Sequence, residues 1–104
     1  MFSHGKQAVL PCGNVRGGDI VCLASGECGE VVTFWSCEGN PTIVARILMF
    51  QPSPNGVYTW LISRTTSHVV DSAEILAPVI WRRIGDGEIR AMPPFRLVVN
   101  DLYA

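Results

Sequence analysis

Between Thr42 and Thr65 two apolar-rich runs flank a polar break: TIVARILMFQPSPNGVYTWLISRT. In the first run Ile43, Ala45, Ile47 and Met49 fall on one face of an extended chain. Val44, Arg46, Leu48 and Phe50 fall on the other. Both faces are largely apolar, which predicts a central strand covered on both sides for much of its length. Arg46 interrupts the second face. Its stem suits an apolar surface while its guanidinium reaches water or a carboxylate. Pro52, Pro54, Asn55 and Gly56 end the pairing, because proline lacks a ladder donor and Asn-Gly tolerates positive φ. Val57–Thr65 returns with Val57, Thr59, Leu61 and Ser63 on one face and Tyr58, Trp60, Ile62 and Arg64 on the other. The stretch therefore predicts an antiparallel hairpin at the centre of a β-rich domain.

The remainder reads as short strands between breakers. Residues 1–6 are expected as a loose end or a sheet edge, Gln7–Leu10 as a strand, and Cys12–Gly18 as a loop. Asp19–Ala24 and Glu30–Cys37 are β-prone runs around a turn at Ser25–Gly29. After Thr65, Ser67–Val70 reads as a separate strand. Asp71 and Glu74 have the spacing of a capping box, while Pro78 limits any helix to a single turn. Val79–Ile84 and Glu88–Met92 flank Gly85-Asp86-Gly87 as a hairpin. Pro93-Pro94 breaks the ladder, Phe95–Val99 reads as a last strand, and residues 100–104 as a loose end. The expected fold is all-β, with seven to nine strands. One domain over residues 1–104 forms a small, partly open barrel of SH3-like type, with Gly/Pro-rich turns and at most one short helical turn.

Composition bounds the function. The 104 residues are 48% hydrophobic and only 16% charged, which argues against disorder and raises the expectation of an oligomeric interface. The net charge of −1 is unlike that of a pure phosphate-backbone binder. Arg82, Arg83, Arg90 and Arg96 do concentrate in the last quarter, beside Asp86 and Glu88. No apolar run is long enough for a membrane-spanning helix, and MFSHGKQAVLPCG lacks the form of a secretory signal, so the chain is expected to be intracellular. In that setting Cys12, Cys22, Cys28 and Cys37, with no C-x-x-C knuckle, read as reduced structural thiols. Neither metal nor cofactor is expected.

Catalytic patterns are weak. His68 lies near Ser67 and Asp71, but no nucleophile elbow of the G-x-S-x-G type accompanies them. Asp19, Glu27, Glu30 and Glu38 show no fixed metal or acid–base spacing. Gly13, Gly17 and Gly18 are followed by no Lys-Ser or Lys-Thr of a phosphate loop. The aromatic residues carry more information. Most aromatics in a small domain are core, yet several at a barrel rim form a groove or cage. Trp60, Tyr58, Trp35 and Trp81, with Arg46, are the candidate ligand-binding residues. Trp60 is the foremost of them.

Gly18-Asp19, then Ala45-Arg46-Ile47, Gly56, Trp60 and Ile75 follow an order that resembles the bromo-adjacent homology (BAH) family, over about residues 18–83. That resemblance implies a chromatin-associated, peptide-binding module and a nuclear rather than cytoplasmic setting. The residues themselves lead to a non-enzymatic module that binds a peptide or protein, as a possible homodimer. The alternatives are a nucleic-acid-binding barrel using Arg82, Arg83, Arg90 and Arg96, and a small-ligand protein or enzyme with an unrecognised pocket.

Overall fold

The computed structural model describes residues 2–56 and 58–92. Ten strands and one 3-10 turn are found among them. The strands are β1 (Phe2–Gly5), β2 (Gln7–Leu10), β3 (Gly13–Arg16), β4 (Ile20–Leu23), β5 (Cys28–Cys37), β6 (Asn40–Pro52), β7 (Thr59–Asp71), β8 (Ile75–Pro78), β9 (Ile80–Gly85) and β10 (Glu88–Met92). All pairings are antiparallel, and the main sheet runs β8-β4-β5-β6-β7-β10-β9, with β1 beside β5.

The predicted central hairpin is present as β6 and β7, flanked by β5 and β10. The alternation in β6 holds. Ala45, Ile47 and Met49 are buried on one face, Ile43 is partly buried there, and Phe50 is buried on the other. Arg46 stands exposed on that second face, its Nε donating to Ser67 Oγ at 2.8 Å. Strand β7 is longer than the sequence suggests. The expected break between Thr65 and Ser67 is absent, and one 13-residue strand runs to Asp71. Its register jumps instead: Phe50 faces Thr65 while Gln51 faces Leu61. Three extra residues on β7 are accommodated there as a bulge.

Other departures have local causes. The stretch expected as a loop after Cys12 contains β3, which pairs with β2 across a turn at Pro11-Cys12, followed by Gly13 at φ 123°. Asp71 caps the 3-10 turn Ser72–Glu74, its Oδ1 accepting from the Ala73 N–H at 2.9 Å. The chain then returns to a strand at once as β8.

The seam explains the barrel. Strands β8 and β9 lie at opposite ends of the sheet order, yet only Val79 separates them in the chain. The Val79 N–H donates to the Ile20 carbonyl at 2.9 Å, after which β9 leaves β4 and pairs with β10. The sheet thus curls into a nearly closed barrel, open between β9 and the start of β4. Its interior holds Ile20, Cys28, Phe50, Ile89 and Ala91, with Trp60, Ile62 and Val79 packed against them. The outer face of the same strands is a second core, where Leu10 and Val15 of the β2–β3 hairpin cover Val21, Val31, Ile47 and Met49. The wall between the two cores is tight at Gly29. A Cβ there would meet Ile47 Cγ2 at 2.5 Å and the Leu48 carbonyl at 2.7 Å, so only glycine fits between β5 and β6.

Candidate functional site

Among the described residues, two hollows matter to the reading of the barrel. The first, of about 250 Å³, lies between the β4–β5 hairpin and the start of β7. Cys22, Leu23 and Cys28 form one wall, Trp60, Val79 and Ala91 the other, and Tyr58 and Leu76 the rim. Trp60 is half-buried, and its Nε1 is fully enclosed with no hydrogen-bond partner among the described residues. Buried donors are rarely left unpaired, because losing water without gaining an acceptor costs about 1–3 kcal/mol. Tyr58 is 42% exposed and has φ 60°, the one positive φ at a non-glycine position among the described residues. A bulky residue adopts that conformation only when its surroundings impose it. Here the Ala91 N–H donates to the Tyr58 carbonyl at 2.9 Å and anchors the turn. The consequence is a tyrosine ring held at the mouth of the hollow.

Cys22 and Cys28 face each other across the β4–β5 turn. Both thiols titrate higher than usual because burial disfavours the thiolate, and Cys28 is pushed up to about 12. They make this wall apolar and unreactive at neutral pH. Among the described residues no group of three or more His, Cys, Asp or Glu is arranged to hold a metal ion. Among the described residues no helix is long and apolar enough to cross a membrane.

The second hollow, of about 220 Å³, occupies the opening beside β9. Ile20, Phe50, Ile62 and Ile89 floor it, and Trp81, Arg83, Glu30 and Thr65 stand around it. Trp81 is 45% exposed. Arg82 and Arg90 are direct cross-strand partners on the outer face of the β9–β10 hairpin, both exposed. Glu88 is turned to the β6–β7 connection, where Ser53 Oγ donates to its Oε1 at 2.7 Å and Asn55 Nδ2 at 3.2 Å.

The structure therefore separates the candidate residues. Tyr58 and Trp60 meet at the first hollow, and Trp81 and Arg83 at the second. Trp35 lies half-buried on β5 opposite Val44, and Arg46 on the exposed part of β6, away from both. Arg96 lies outside the described residues. Sequence reasoning passed over Cys22, Cys28, Leu76 and Ala91. The two cysteines carried a usable signal, since a hairpin centred on Ser25 places them opposite each other. No known family, curated protein or solved structure matches this chain.

Proposed function

We propose that the protein is a non-catalytic binding module that recognises a peptide or protein segment through the Tyr58–Trp60 hollow. The observation that carries this reading is the enclosed, unpartnered Trp60 indole N–H in the wall of an open apolar cavity. An entering apolar side chain would fill the cavity, and a rotation of the Trp60 ring on its arrival would turn the indole N–H to a backbone carbonyl of the same segment. The tyrosine held at positive φ supports the reading, as strained backbone gathers at binding sites. So does the placement of the BAH-like residues. Gly18-Asp19 precede β4, Ala45-Arg46-Ile47 lie on β6, Gly56 in the following turn, Trp60 on β7 and Ile75 on β8.

A displayed random-peptide selection against the folded domain tests it. Enriched peptides should share one large apolar anchor, and their binding should change Trp60 fluorescence. Trp60→Phe keeps most of the ring but removes the donor. It should weaken those peptides about tenfold while the circular dichroism spectrum stays the same. Failure to enrich any peptide, or equal binding by Trp60→Phe and Tyr58→Ala, refutes the proposal.

A further inference from the structure

We propose that the open seam of the barrel binds single-stranded nucleic acid, one base entering the hollow beside Trp81 while Arg82, Arg83 and Arg90 hold neighbouring phosphates. This site is separate from the Tyr58–Trp60 hollow and stands on its own observations.

The first is electrostatic. Like charges placed directly opposite on paired strands repel, yet Arg82 faces Arg90. Arg83 is the next residue, on the inner face opposite buried Ile89. Among the described residues none of the three makes an ion pair or a side-chain hydrogen bond, and Glu88 is held by Ser53 and Asn55. The hairpin thus carries three guanidinium groups with no ion pair among the described residues, against Asp86 in its turn and Glu88 on β10. A polyanion supplies what the fold omits, and guanidinium forks match phosphate oxygens.

The second is shape. A cavity of about 220 Å³ is below the range that takes whole drug-sized ligands, but it has room for one planar ring system. Its floor is apolar, its edge carries a tryptophan with nearly half its surface exposed, and Glu30 offers an acceptor to a base amino group. Aromatic platforms beside basic side chains are how single strands are held without a duplex. An acidic peptide matches the charge but leaves the ring-sized hollow and Trp81 unused.

The third is access. The inner edge of β9 beyond Val79 is unpaired among the described residues. Arg82 and Arg83 project to opposite sides of that edge, so a strand crossing it meets one arginine on each side.

Fluorescence anisotropy with a labelled ten-nucleotide RNA, its DNA counterpart and a poly-glutamate peptide tests the assignment. Three phosphate contacts on a single strand predict a slope of log K against log salt of about −2. Trp81→Ala should weaken binding about tenfold without changing that slope. Arg82→Gln with Arg90→Gln should bring the slope to about −0.7, whereas the paired lysine replacements should retain it. These positions are exposed, so circular dichroism should show all variants folded; Trp81→Phe, which keeps an aromatic face, should bind better than Trp81→Ala. Tighter binding of RNA than DNA, or the reverse, identifies the natural strand. The proposal is overturned if neither oligonucleotide binds, if the arginine variants leave the slope at −2, if Trp81→Ala binds as well as the parent, or if poly-glutamate binds more tightly than both oligonucleotides.

Discussion

Cys28 shows how far the barrel interior departs from water. It packs with Ile20, Phe50, Ile89 and Ala91, and burial pushes its thiol up to about 12 from 9.0. In the unfolded chain the thiol loses its proton near the lower value, whereas the folded protein keeps it until the higher one. Above pH 9 the unfolded state therefore binds fewer protons, and stability falls as pH rises through this window. The contribution of this one group should be a loss of about 1.4 kcal/mol per pH unit. Urea titrations between pH 8 and pH 12, run on the parent and on Cys28→Ala, isolate it. The variant should start less stable and lose stability less steeply; parallel slopes would show that Cys28 is accessible to hydroxide and the interior wet.

Strand β7 divides into two halves with different surroundings. Thr59, Trp60 and Leu61 pair with β10, and Trp60 and Leu61 pair with β6 on the other side. Beyond the bulge, Thr65–Asp71 pairs with β6 alone among the described residues, and Thr65, Thr66, Ser67, His68 and Val69 are all exposed. Strand β6 lies between β5 and β7 from Val44 to Met49, so its backbone is paired on both sides there. Hydrogen exchange should follow this division. Amides of Val44–Met49 should be among the slowest in the molecule, while alternate amides of Thr65–Asp71, those pointing away from β6, exchange orders of magnitude faster. Uniformly slow exchange along Thr65–Asp71 would reveal a further strand or a second copy on that edge. The element scale is also where the sequence was most legible. Alternation identified β6, the faces of its side chains and the β9–β10 hairpin, because those depend on residues close in the chain. It did not reveal the join of Thr65 to Ser67, since a bulge is set by where β6 and β10 hold the strand at its two ends. It also passed over β3, whose Gly-Asn-Val-Arg reads as a turn until β2 lies beside it.

For the whole molecule, closure depends on residues that look unremarkable in the sequence. Val79 is a partly buried valine after a proline, but its N–H is the last bond holding β4 to the strand that crosses the seam. Val79→Pro removes that donor and should cost about 1–3 kcal/mol beyond the side-chain loss measured with Val79→Ala. Chemical denaturation of both variants checks this; equal midpoints would mean that the seam is held by packing alone. The same non-local join hid most of the candidate sites. Tyr58 and Trp60 were recognisable as aromatics worth attention, but nothing within their own strand announces Cys22, Val79 and Ala91 as neighbours. Arg82 and Arg90 could be paired from the Gly-Asp-Gly turn, whereas the ring-sized hollow beside Trp81 needs residues from six strands.

The continuous run from β8 through Val79 to β9 also fixes the order of events during synthesis. The β5–β6–β7 meander can form as soon as Asp71 has left the ribosome, since its partners are sequential. Its inward face, with Cys28, Phe50 and Ile62, is covered only by Ile20 and Trp60 until Ile89 and Ala91 of β10 arrive. A growing polypeptide therefore carries a partly uncovered apolar trough through the interval in which β8, β9 and β10 are translated. Transiently exposed apolar surface of that kind is prone to aggregate. Slowing elongation between Ile75 and Met92 would prolong the exposure and lower the soluble yield, whereas slowing before Cys28 would leave it unaffected.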